Sequence, residues 1–260
     1  MSDLKPQIER ELPMLRRFAT ALCGQTQTGD AFIYSIIEEL VANPGLMDKR
    51  ELRLDLYRSL VRRHASAESD NVIRLHARTD RGAENSERVL SSLPEEQRQA
   101  VLLYALEDFT PAEVAEILGR SPAYVNELLS QAKARIARSL RTKVLLIEDD
   151  PLVALLLEDM IGEMGHEVMG VAATRDEAVH TARAGHPGLI ITDIVLADRS
   201  SGLDAVADIC GSGRSIPTVV LTGYPDRVRK GSKKFLVPKP FEFGSLETAV
   251  NSALLSSGAH

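Results

Sequence analysis

Four short stretches of the 260-residue chain hold side chains suited to handling a phosphoryl group: Glu148-Asp149-Asp150, Asp193, Thr222 and Lys239-Pro240. Carboxylates crowded into one site repel unless a hard divalent cation sits among them. Mg²⁺ suits such a set, because it takes few carboxylates and keeps positions open for water and phosphate oxygens. With a cation screening its charge, one carboxylate can act as a nucleophile toward phosphorus and form an acyl phosphate. Lysine adds a point charge and threonine a hydrogen bond to the phosphoryl oxygens. Any one of these residues alone reads as an ordinary solvated loop group. Their joint meaning depends on elements that bring all four stretches to one edge.

Those elements are legible from residue 142 onward. Val144–Ile147, Val168–Ala173, Leu189–Thr192, Thr218–Leu221 and Phe235–Val237 are short apolar runs, as strands buried on both faces should be. Helical spacing fills the intervals at Pro151–Met164, Thr174–Ala184, Leu203–Cys210 and Phe243–Leu255. The alternation predicts a doubly wound parallel sheet, and ligands of such sheets bind beyond the carboxyl ends of the strands. Glu148, Asp193, Thr222 and Lys239 all fall at such ends, in order.

The motifs V-L-L-I-E-D-D-P, I-T-D-I, L-T-G and K-P-F make residues 143–256 resemble the receiver domain of bacterial two-component response regulators. The resemblance implies a flavodoxin-like fold with a five-stranded parallel sheet and Asp193 as phosphoacceptor. Glu148, Asp149, Asp193 and the Val195 carbonyl become the Mg²⁺ ligands, with Asp150 adjacent. Thr222 and Lys239 become the phosphate-contacting residues, and a cis Lys239–Pro240 peptide is implied. A sensor histidine kinase or phosphotransferase becomes the phosphoryl donor. Two features depart from the pattern. Leu236 stands where receivers usually carry a switch aromatic, with Phe235 and Tyr224 nearby, and Gly223–Lys234 has no good apolar stripe for a fourth helix.

The first 140 residues show helical periodicity only, as in Leu52, Leu56, Tyr57, Leu60 and in Val101, Leu102, Ala105, Leu106. Helix starts are marked by Asp48 with Glu51, by Thr110-Pro111-Ala112-Glu113 and by Ser121-Pro122. Periodicity fails between Ala65 and Asn85, with at most a short helix at 72–76. The division expected is therefore 1–65 helical, 66–85 linker, 86–141 helical and 142–260 receiver. Leu93-Pro94-Glu95-Glu96-Gln97-Arg98, followed by a helix-turn-helix pattern with Ala115, Gly119 and Val125 at its packing positions, resembles region four of extracytoplasmic-function sigma factors. Residues 8–64 become a reduced region two.

The would-be DNA face does not match that resemblance. Ser121–Gln131 holds no lysine or arginine before Lys133, and it holds Glu127. Affinity for DNA rests largely on phosphate neutralisation by cations. In region two, Leu52–Ser66 shows Tyr57 but no aromatic cluster to trap unpaired bases. Lys133, Arg135, Arg138 and Arg141 read as an exposed set that complements a helix C-terminus. Residues 1–142 carry 20 Lys+Arg against 21 Asp+Glu, so no basic footprint accompanies the fold.

A sigma-like half ahead of a receiver resembles the PhyR family of general stress response regulators. This implies partner switching, in which the protein phosphorylated on Asp193 sequesters an anti-sigma factor of the NepR type and frees a sigma factor. The alternatives are a DNA-binding response regulator, an authentic sigma factor with an appended receiver, and an enzyme. Apart from self-directed phosphorylation, no catalytic constellation supports the last. The six histidines are scattered and expected at the surface, and Cys23 and Cys210 are expected as buried thiols. No apolar run approaches a membrane span and no signal peptide is visible, so a cytoplasmic location is expected.

Overall fold

The computed structural model describes residues 4–42, 51–69, 85–196, 198–211, 215–223 and 235–257. The expected cap at Asp48, the short helix at 72–76 and the segment 224–234 with Tyr224 lie outside these. The described residues form two compact units, which divide near Ile136 and Ala137.

The first unit is helical: α1 (Leu4–Cys23), α2 (Thr26–Ala42), α3 (Leu52–Ser69), α4 (Asn85–Ser91), α5 (Glu95–Val101), a π-helical turn (Leu102–Leu106), α6 (Pro111–Leu118) and α7 (Pro122–Ser139). Helix α3 continues to Ser69, past the loss of apolar periodicity at Ala65. The Ser66 hydroxyl folds back onto the Arg62 carbonyl at 3.0 Å, so a polar residue there is compatible with the helix. The α6 capping box is complete. Thr110 Oγ1 accepts from Glu113 N–H at 3.3 Å, Glu113 Oε2 accepts from Thr110 N–H at 2.8 Å, and Gly119 closes the helix at φ 64°. Ser121 Oγ accepts from the Tyr124 amide at the start of α7.

One apolar cluster runs through this whole unit. Leu15, Phe18 and Leu22 of α1 and Leu56, Tyr57 and Leu60 of α3 belong to the same core as Leu103, Phe109, Val114, Ile117, Val125 and Leu128. The two sigma-like regions thus share a single interior.

The second unit is the sheet: β1 (Lys143–Ile147), α8 (Pro151–Glu163), β2 (Glu167–Ala172), α9 (Arg175–Gly185), β3 (Leu189–Asp193), α10 (Gly202–Cys210), β4 (Thr218–Thr222), β5 (Phe235–Pro238) and α11 (Phe243–Ser256). The strands are all parallel, in the order β2-β1-β3-β4-β5. The central runs of β1, β3 and β4 are buried on both faces, which explains their unbroken apolar sequence. Ala178 and Ala182 of α9 and Ala205 and Val206 of α10 cover one face with Leu145, Ile147 and Ile190. Leu157 and Ile161 of α8 and Leu246 and Val250 of α11 are buried as well. The order reverses between β1 and β3, so the crevice at their carboxyl ends is where a ligand belongs.

Candidate functional site

Register brings the four sequence stretches together. Ile147 pairs with Thr192, Asp193 with Leu221, and Thr222 with Pro238, so β1, β3, β4 and β5 end at one level. Glu148, Asp149 and Asp193 each offer a carboxylate oxygen, and these oxygens lie within 4.8 Å of one another. The Lys239 ammonium reaches across the cluster, donating to Glu148 Oε2 at 2.7 Å and to Asp193 Oδ2 at 2.6 Å. Asp193 Oδ1 accepts from the Ile194 amide at 2.5 Å. The Lys239 amide donates to the Thr222 carbonyl at 2.8 Å, which ties the ends of β4 and β5. The Lys239–Pro240 peptide is cis, as the resemblance implied.

Three carboxylates against one ammonium leave the cluster about two charges short of neutrality. Glu148 is buried, and burial pushes its carboxyl above the usual carboxylate range against the pull of Lys239. Burial depresses the Lys239 ammonium, but hydrogen bonds to Asp193 and Glu148 outweigh it and hold the group above an ordinary lysine. All the available donors are hard oxygens in an arrangement with excess negative charge, which fits a magnesium-sized dication. Beside the cluster lies an open cleft of about 430 Å³ walled by Glu148, Asp149, Leu155, Glu158 and Val171.

The neighbouring residues have clear structural duties. Asp150 does not join the cluster: its carboxylate caps α8, accepting from the Leu152 amide at 2.8 Å. Val195 is exposed, two residues beyond Asp193, and an isolated bridge to Ser201 holds its backbone. Gly202 lies against the backbone of Asp193. A side chain there would overlap the Asp193 carbonyl oxygen and Thr192 Oγ1, so the loop after β3 folds this closely only with glycine at that position. Thr222 is buried at the end of β4, and Leu236, in the switch-aromatic position, is exposed.

Comparison with known proteins agrees with both halves of the chain. Residues 8–61 match the sigma2 domain of PhyR, residues 90–139 the sigma-like domain of the response regulator PhyR, and residues 144–251 the response regulator receiver domain. The phyllosphere-induced regulator PhyR of Methylorubrum extorquens is 37% identical over 256 residues, covering 95% of this chain and 92% of that protein. The chain belongs to the PhyR family. A solved structure of the anti-anti-sigma factor PhyR complexed with the anti-sigma factor NepR, from Bartonella quintana, matches with a TM-score of 0.68. It is 35% identical and covers 97% of this chain and 98% of that one. The transcriptional regulatory protein PdtaR of Mycobacterium tuberculosis is 34% identical over 117 residues, 43% of this chain and 56% of that protein. Like its PhyR relatives, this protein is a response regulator that joins a sigma-like helical half to a receiver.

Three sequence readings need correction or completion. His64 and His166 are buried, not at the surface. The His64 ring pairs with Glu95 at 3.2 Å, and His166 Nδ1 accepts from the Thr142 amide at 3.3 Å. Cys23 and Cys210 are half-buried, not buried. Sequence reasoning also missed Glu107, a fully buried carboxylate bonded to Arg17 and Tyr57. Its only signal was a charged residue directly after an apolar run.

Proposed function

We propose that this protein is a phosphorylation-gated anti-anti-sigma factor. Its receiver takes a phosphoryl group on Asp193, and its sigma-like half then sequesters an anti-sigma factor of the NepR type, freeing a sigma factor for stress transcription. The Asp193–Lys239–Glu148 cluster, on a chain of the PhyR family, carries this reading.

Glu148, Asp149, Asp193 and the Val195 carbonyl would hold Mg²⁺, which would neutralise the crowded carboxylates and the incoming phosphoryl oxygens. An Asp193 carboxylate oxygen attacks phosphorus of a phosphohistidine. The new O–P bond forms as the N–P bond breaks, and the electron pair stays on the imidazole. Lys239 moves from bridging two carboxylates to contacting the phosphoryl group, and Thr222 donates its hydroxyl there. The acyl phosphate carries about −1.5 to −2 where the Asp193 carboxylate carried about −1, and this relocated and enlarged charge then alters the strand-end region. A coupling of about 1–3 kcal/mol shifts affinity roughly 5- to 150-fold, so the anti-sigma partner contributes to opening through its own preference for the freed state.

A role in DNA binding is disfavoured by the start of α7. Arg120, the cation nearest that end, donates to Glu96 Oε1 at 2.5 Å, and the Tyr124 hydroxyl donates to Glu96 Oε2 at 2.8 Å. A carboxylate of the protein thus already pairs the cation and the tyrosine hydroxyl nearest the start of this helix.

Intact-mass measurement after treatment with acetyl phosphate and Mg²⁺ tests the phosphoacceptor. One phosphoryl group is expected on the full chain and none on Asp193→Ala or after EDTA. Labelling that persists in Asp193→Ala would remove Asp193 from this role.

A further inference from the structure

Glu107 stands at the joint between the two sigma-like regions, directly after the π-helical turn. Among the described residues of the helical unit, it is the one acidic residue that is buried. Its partners come from the other region. Arg17 of α1 donates to Glu107 Oε1 from Nε at 3.2 Å and from Nη2 at 3.1 Å, and also to the Leu106 carbonyl at 2.5 Å. The Tyr57 hydroxyl of α3 donates to Glu107 Oε2 at 2.6 Å. Arg53 of α3 donates to the Glu107 carbonyl at 2.5 Å and stacks on the Phe109 ring at 4.2 Å. Phe18, Tyr57 and Phe109 meet edge to face around this point.

The backbone is built to deliver this one side chain. The Glu107 amide reaches back five residues to the Leu102 carbonyl at 3.3 Å, and Asp108 turns the chain at φ 55° so that Phe109 re-enters the core. A π-turn is a local departure from the helix and often marks a functional position. Two other polar pairs cross between the regions, Arg58 with Glu116 at 2.8 Å and His64 with Glu95 at 3.2 Å, but in each the carboxylate is partly exposed. The rest of the contact is apolar and non-directional: it holds surfaces together without fixing their register. A buried carboxylate is different. Apolar residues replacing the carboxylate and its partners together would hold the two regions about as well, whereas a charge whose oxygens need donors from both α1 and α3 accepts one placement only.

We propose that Glu107 fixes the register of the two sigma-like regions, and that the surface offered to the anti-sigma factor depends on this buried carboxylate. Its second clause rests on the partner-switching reading; its first does not. Glu107 is a positioning residue here, acting through Arg17, Tyr57 and Arg53.

The test uses the full chain and three variants, Glu107→Leu, Glu107→Gln and Tyr57→Phe. They are followed by thermal melting, by hydrogen exchange of the α3 and α6 amides, and by binding to NepR of Bartonella quintana after beryllofluoride treatment. In Glu107→Leu the melting temperature should fall, because the buried Tyr57 hydroxyl and Arg17 lose their acceptor. At temperatures where the variant is folded, the facing amides should exchange at least tenfold faster and affinity for NepR should fall at least tenfold. Tyr57→Phe and Glu107→Gln should show smaller changes in the same direction. Wild-type exchange in a folded Glu107→Leu overturns the proposal. If that variant does not fold, wild-type exchange in both milder variants does so. Exchange that speeds up with NepR affinity unchanged overturns the second clause. Absence of NepR binding by the wild-type chain removes that clause together with the partner-switching reading, and exchange alone then decides the first.

Discussion

At the scale of residues, the site is governed by the imbalance between three carboxylates and Lys239. Lys239 is the ammonium that Glu148 needs, because Glu148 is buried and its carboxyl is already pushed upward by desolvation. Lys239→Ala should therefore destabilise the Mg²⁺-free protein by about 1–3 kcal/mol in denaturant titration, since one partner of a mostly buried pair is left alone. Added Mg²⁺ should recover part of that loss by supplying positive charge at the same oxygens. His166 gives a second residue-scale expectation. Burial holds its imidazole below the ordinary value, with Arg141 acting in the same sense. The folded state thus binds fewer protons than the unfolded chain just below about pH 6.5, and in that window stability rises with pH. The His166 contribution is present above the unfolded value and lost as pH falls. The melting temperature should drop on acidification from about pH 7 to about 5.5, and His166→Asn, which does not titrate, should remove part of that dependence.

At the scale of elements, local chemistry decides where helices begin. The Thr110–Glu113 box satisfies two amides at the start of α6, and Thr110→Ala should cost about 1 kcal/mol by equilibrium unfolding. This box was legible in sequence, as were all five strands of the receiver: β1, β3 and β4 carry buried runs, and β2 and β5, though more exposed, are still short apolar runs between turns. Asp193, Glu148 and Lys239 could be placed at one edge because parallel strands bring their carboxyl ends together. The π-helical turn could not be read. Leu102, Leu103 and Leu106 fit helical spacing equally well with or without the wider turn, and only the turn's end shows Glu107 pointing into the core. His64 was missed for a related reason. It follows Arg62 and Arg63 in a polar stretch, and what buries it is packing against Phe32 and Glu95, both more than 30 positions away in sequence. Long-range contacts of this kind leave no periodic trace.

At the scale of the whole molecule, a sigma-like half in which Arg120, just before α7, is paired with Glu96 is joined to a receiver that carries the Asp193–Lys239–Glu148 cluster. The central claim is that the second controls the partner affinity of the first. No helix among the described residues is long and apolar enough to cross a membrane, so the exchange involves no span within them. Isothermal calorimetry of the full chain against a NepR-type anti-sigma factor, with and without beryllofluoride and Mg²⁺, tests that claim most directly. Asp193→Ala serves as the unmodifiable control. Binding is predicted to tighten at least fivefold when Asp193 is modified and to stay at the basal value in Asp193→Ala under both conditions. Equal affinities for modified and unmodified wild-type chain would contradict the account.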